Sequence, residues 1–201
     1  MNFGIVGRLA GVVALTAGLA GCIDVTAEID VLSETGGRAT TTMTMGAEFY
    51  PMIKQMAAAS EAGSDDGFCT EESAVLTENA DGSATCTIVG EGSFADITGT
   101  EGPTEEASFT VVSPGVVRVG FKTEGMASEL TDGQDAEMAA MMQTYFEGHN
   151  ATLRVKGRRI VDSNMTISQD GTSAEIVIPF ASLMDGSAQL PDELFAVVDT
   201  D

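Results

Sequence analysis

The sequence predicts an α+β fold: antiparallel β-hairpins forming one or two sheets, with two main helices packed on them. Three observations carry that expectation. Apolar and polar residues alternate with a period of two through much of the chain, turn residues punctuate the alternating runs, and only two stretches switch to helical spacing. The strands follow one another as hairpins and not as β-helix-β crossovers, which points to antiparallel sheets.

The first strand is the clearest. Ile23, Val25, Ala27, Ile29 and Val31 alternate with Asp24, Thr26, Glu28 and Asp30. After the turn chemistry of Gly36-Gly37, residues 38–45 return with Ala39, Thr41, Met43 and Met45 on one face and Thr40, Thr42 and Thr44 on the other. The period then changes: Phe49, Met52, Ile53 and Met56 recur at helical spacing in 47–60, with Pro51 near the start. A hairpin is expected around Asn79-Ala80-Asp81-Gly82, flanked by residues 74–76 and 85–89, and residues 91–105 read as a loop. Residues 107–112 and 116–121 pair about Ser113-Pro114-Gly115. A second helix is expected over 131–147, with Met138, Met141, Met142 and Tyr145 on its apolar face. Strands follow over 151–156, 159–168 and 172–180, the last two joined by Asp170-Gly171, and residues 195–198 add a short final strand. The order ββα-ββ thus occurs twice, a hint of two halves meeting near 91–105 within one exported domain, residues 22–201.

The chain has 201 residues, 43% of them apolar, and carries 31 acidic against 9 basic residues for a net charge of −22. Phosphate binding needs clustered Lys and Arg, so nucleic acid is excluded as a partner. Residues 1–21 read as a signal peptide: Arg8 precedes a short apolar run over 9–19, followed by Ala20 and Gly21. That run is too short for a comfortable membrane span. Without Arg8 the mature charge is −23 (8 basic minus 31 acidic).

Leu19-Ala20-Gly21-Cys22 resembles the lipobox of bacterial lipoproteins. The resemblance implies a diacylglycerol on the Cys22 thiol, cleavage before Cys22, acylation of the freed amine, and hence a membrane as partner. In a two-membrane envelope, Ile23 after the cysteine, where a retention signal carries Asp, implies the periplasmic face of the outer membrane. The chain holds three cysteines, and lipidation of Cys22 explains the odd one. Cys69 and Cys86 are then expected to form a disulfide in an oxidising compartment, against separate buried thiols or a metal pair.

The sequence shows no catalytic motif: no G-x-S-x-G, no H-E-x-x-H and no P-loop. His149 is the only histidine and reads as a helix-end residue. No metal or cofactor is expected; Asp65, Asp66 and Asp132 are the acids that would serve a cation, without EF-hand spacing. Arg154, Lys156 and Arg158 share one strand face as a basic stripe, open to a lipid headgroup or an anionic partner, or to pairing with acidic neighbour strands. Met52, Met56, Met138, Met141 and Met142 would line an apolar groove or fill an ordinary core.

Cys22-Ile23-Asp24-Val25-Thr26, the Gly-rich turn and the Thr-rich return strand together resemble the opening of LppM-type envelope lipoproteins; the Asp170-Gly171 hairpin is compatible with that pattern. The resemblance covers about a third of the chain and implies an α+β envelope domain with lipid contact and no catalysis. The expected function is therefore a non-enzymatic envelope lipoprotein binding an apolar ligand, a lipid or an envelope partner. The alternative is an assembly factor acting through protein contacts at an exposed strand edge.

Overall fold

The computed structural model describes residues 23–59, 68–71, 73–98, 107–123, 126 and 146–201. Strand β1 (Ile23–Val31) buries Ile23, Ala27, Ile29 and Val31 on one face and exposes Asp24 on the other, as its alternation dictates. The Gly36 N–H donates to Ser33 Oγ (3.1 Å), closing the turn that returns the chain as β2 (Gly36–Met45). The two pair antiparallel, Ile23 opposite Met45 and Val31 opposite Gly37. Helix α1 (Tyr50–Ala59) follows, burying Tyr50 and Ile53 in a small cluster with Ile23, Met45 and Ala84.

Strands β3 (Ala74–Glu78) and β4 (Ala84–Ser93) form the next hairpin. At its turn the Asp81 carboxylate accepts from the Ser83 N–H (2.9 Å) and hydroxyl (2.7 Å). Helix α2 (Phe94–Thr98) leads toward the hairpin of β5 (Ala107–Ser113) and β6 (Val116–Lys122). Then come β7 (Asn150–Lys156), β8 (Arg159–Ser163), β9 (Thr166–Ile167), β10 (Ser173–Pro179), α3 (Phe180–Met184) and β11 (Glu193–Asp199).

Two sheets result, ordered β3-β4-β2-β1-β7-β10-β9 and β5-β6-β11-β8. They share one core. Ala27, Ile29, Leu153, Val155 and Ala174 of the larger sheet pack in the same cluster as Val117, Val119, Phe121, Leu194, Ala196 and Val198 of the smaller. Every one of these sits at alternate positions of its strand, the period-two signal of the sequence.

Several expectations are corrected. One strand pair is parallel: β1 lies beside β7 with Ala27 opposite Leu153 and Ile29 opposite Val155. A short turn forces antiparallel pairing only on strands it joins, and these two are far apart in sequence. Residues 91–105 are not simply a loop. Glu91 to Ser93 finish β4, and α2 follows, its start held by the Asp96 carboxylate accepting from the Ser93 N–H (2.9 Å). Gly and acidic residues dominate that stretch and hide its two apolar anchors, Phe94, stacked on Phe109 at 4.1 Å, and the buried Ile97.

The strand expected over 159–168 is broken. Asn164 Nδ2 donates to Glu193 O (2.8 Å) while the Phe195 N–H donates to Asn164 Oδ1 (2.8 Å), so the side chain replaces the ladder. β8 therefore pairs with β11 and β9 with β10, and the chain crosses between sheets at the buried Met165. Pro179 ends β10, and Phe180 opens α3 and not a further strand residue. β11 is longer than the short tail expected and lies inside its sheet between β6 and β8. The helical share among the described residues is small, one helix of ten residues and two of five. The expected helix over 131–147 falls outside them except at its end, where Gly148 takes a φ of 88°.

Candidate functional site

The basic stripe is built by strand register. Glu28 on β1, Arg154 on β7 and Glu175 on β10 face one another across three neighbouring strands. Arg154 Nη2 lies 2.7 Å from Glu175 Oε2, and its Nη1 lies 3.3 Å from Glu28 Oε2. Lys156 Nζ reaches the other Glu28 oxygen at 3.3 Å. The hydrogen bond to Glu175 and then that to Glu28 hold the Arg154 guanidinium above its ordinary pKa, against the opposing effect of burial. Two of the three residues are thus paired within the sheet. A ligand competing for them would displace carboxylates already in place.

Arg158 stands apart. Among the described residues it makes no ion pair, and with Arg159 and Asp199 it lines a shallow depression of about 320 Å³. Arg159 Nη2 sits 2.6 Å from Asp199 Oδ2, and that hydrogen bond holds the Asp199 carboxyl below its usual range. All three of these lining side chains are charged, which suits an ion better than an acyl chain.

The methionines divide. Met138, Met141 and Met142 lie outside the described residues, as do Cys22, Asp65, Asp66 and Asp132. Met52 and Met56 are 49% and 57% exposed on α1, while Tyr50 and Ile53 are buried in the cluster with Ile23, Met45 and Ala84. Helical spacing alone identifies a stripe, and it does not say which side of the stripe meets the protein.

The disulfide joins Cys69 to Cys86 with Cα atoms 5.4 Å apart. Cys86 is fully buried in β4, opposite Met43 on one side and Leu76 on the other. His149 approaches Asp24 (Nδ1 to Oδ2, 3.4 Å), whose other oxygen accepts from the Asn150 N–H (2.8 Å). The pair ties the start of β1 to the start of β7, and no nucleophile stands in that contact. Among the described residues no group of three or more His, Cys, Asp or Glu could hold a metal ion, and no helix is long and apolar enough to cross a membrane.

The strand expected at 74–76 is present, and what the sequence left unread is its exposure. Among the described residues β3 is an edge of the larger sheet, paired only with β4, and it exposes Val75 (62%) and Leu76 (43%). Its carboxylate, Glu78, is already engaged by Tyr50 Oη (2.6 Å) and Lys54 Nζ (2.5 Å). The lack of a Lys or Arg in the sequence AVLTE was the available signal, since edge strands are usually guarded by charge.

No protein-family model matches the chain, and no curated protein matches it in sequence. Among solved structures, the NMR structure of the folded domain of Mycobacterium tuberculosis LppM aligns over 88% of each chain at 9% identity, with a TM-score of 0.42. A similarity at that level leaves what this chain binds or does to its own residues.

Proposed function

We propose that this chain is a lipid-anchored lipoprotein of the bacterial cell envelope that works by contact with a protein partner, without catalysis of its own. The observation that carries the contact reading is β3: an edge strand among the described residues, with Val75 and Leu76 exposed and the neighbouring Lys54 already paired to Glu78. The disulfide behind it ties β4 to the approach to β3, so the edge is held ready for strand addition. A protein partner is favoured over an apolar ligand because Phe121, Phe146, Phe180 and Leu194 are all buried in the one cluster that the two sheets share.

Two substitutions test the two parts of the reading. Cys22→Ala should move the protein from the membrane to the soluble fraction; retention in the membrane pellet refutes the anchor. Val75→Lys should remove a stoichiometric protein from the native mass spectrum of the complex purified from its own host, with the melting temperature unchanged. Bound lipid in place of a protein would return the apolar-ligand reading.

A further inference from the structure

We infer that the half-exposed Met52–Met56 ridge of α1 lies in the bilayer interface beside the lipid anchor; this rests on the lipidation of Cys22 proposed above. β1 begins at Ile23, which is buried (5%) and hydrogen-bonded into the middle of a seven-stranded sheet. One peptide unit, about 3.8 Å between Cα atoms, separates it from Cys22. Lipid on Cys22 therefore brings this end of the sheet to the membrane surface with no tether between.

The chain then determines what else is at that end. Ile23 packs in one cluster with Met45, Ala84, and Tyr50 and Ile53 of α1. The helix is thus seated on the residue next to the anchor. Its sheet side is satisfied by Tyr50 and Ile53, and its other side presents Met52 and Met56, four residues apart and half exposed. An amphipathic helix with long, adaptable apolar side chains facing out is suited to the headgroup–acyl boundary.

Charge agrees with that placement. Lys54, between the two methionines, is held by Glu78 at 2.5 Å, and Asp24 is engaged by Asn150 and His149. A domain of net charge −23 gains nothing from anionic headgroups, so contact by apolar side chains is the mode open to it. The exposed Leu32 lies at the opposite end of β1, nine residues or roughly 30 Å along the strand.

The chain contains no tryptophan, so a single one reports its own surroundings. The lipidated full-length protein carrying Met52→Trp, and separately Leu32→Trp, is reconstituted into phosphatidylcholine vesicles brominated on the acyl chains. The mass of the Cys22 peptide is measured on the same samples. The expected result is loss of roughly half the fluorescence at position 52 and almost none at 32, as for a side chain about 5–10 Å into the boundary. Equal, weak quenching at both positions in protein that carries the diacylglycerol overturns the inference and leaves the anchor standing. A Cys22 peptide without lipid overturns the anchor, and the inference with it. Circular dichroism matching the parent shows that an exposed Trp has not altered the fold, and Met56→Trp repeats the reading if position 52 fails that check.

Discussion

Gly120 shows how one absent side chain shapes charge chemistry. It lies opposite Phe195, and a Cβ placed there would stand 2.2 Å from Glu193 Oε1 and 3.0 Å from Arg118 Nη1. The empty slot lets Arg118 reach across to Glu193 with two bonds of 2.9 and 2.7 Å, its guanidinium 4.6 Å above the Phe195 ring. The Arg118 hydrogen bond, outweighing burial, holds the Glu193 carboxyl below its usual value of 4.5. A carboxyl whose folded pKa is depressed contributes stability above its unfolded pKa, and that contribution is lost as pH falls through the folded value. The pair should therefore weaken below about pH 4.5, with Asp199 and Glu78 following the same sign through Arg159 and Lys54. Melting temperatures from pH 6 to pH 3 check this: Gly120→Ala and Arg118→Gln should each flatten the fall below pH 4.5 relative to the parent. An unchanged fall would show that the pair carries none of it. None of this pairing was legible beforehand, because cross-strand diagonals depend on register and register is not written in a single strand.

At the scale of elements, local pattern was read well and long-range pairing poorly. The hairpins β1–β2, β3–β4 and β5–β6 stand where alternation and turn residues place them. After β7 the Asp170-Gly171 turn and the strand that follows it also stand, and the main departure is at 159–168, because Asn164 resembles any polar strand residue until β11 supplies its partners. The disulfide is the strongest local staple. It spans a sequence separation of 17, and closing such a loop contributes about 3 kcal/mol on the chain-entropy model. The Cys69→Ala, Cys86→Ala double variant should lose about that much unfolding free energy in urea. Amide exchange should then rise first in β3, the edge of the sheet, and next in β4, the strand it pairs with. A loss spread evenly over both sheets would mean that the staple is not local.

For the whole molecule, charge is the dominant departure from the ordinary. Residues 22–201 carry 31 acidic residues and 8 basic, and all eight basic side chains lie within ion-pair or coulombic reach of carboxylates in the structure. Most carboxylates therefore repel one another without a cation between. From about 0.01 M to about 1 M ionic strength the Debye length falls from about 30 Å to about 3 Å. The melting temperature should rise by a few degrees over that range, as screened repulsion outweighs weakened surface pairs. A fall would mean that the few pairs matter more than the many unpaired acids. The basic stripe belongs to this balance: Arg154 and Lys156 serve Glu28 and Glu175 inside the sheet.

The sequence by itself determined what local chemistry determines: the lipobox resemblance at Cys22, the excess of acid, the three hairpins, and the likeness of β1 to a half-buried strand. Those follow from short-range periodicity and turn conformations, which a chain carries wherever it folds. Only the tertiary structure decided that β1 lies parallel to β7, that residues 159–167 divide between two sheets, and that Met52 and Met56 face outward. Each depends on which distant surface a stripe or strand finds. That choice is made by the packing of the whole core, where apolar rows from both sheets must meet.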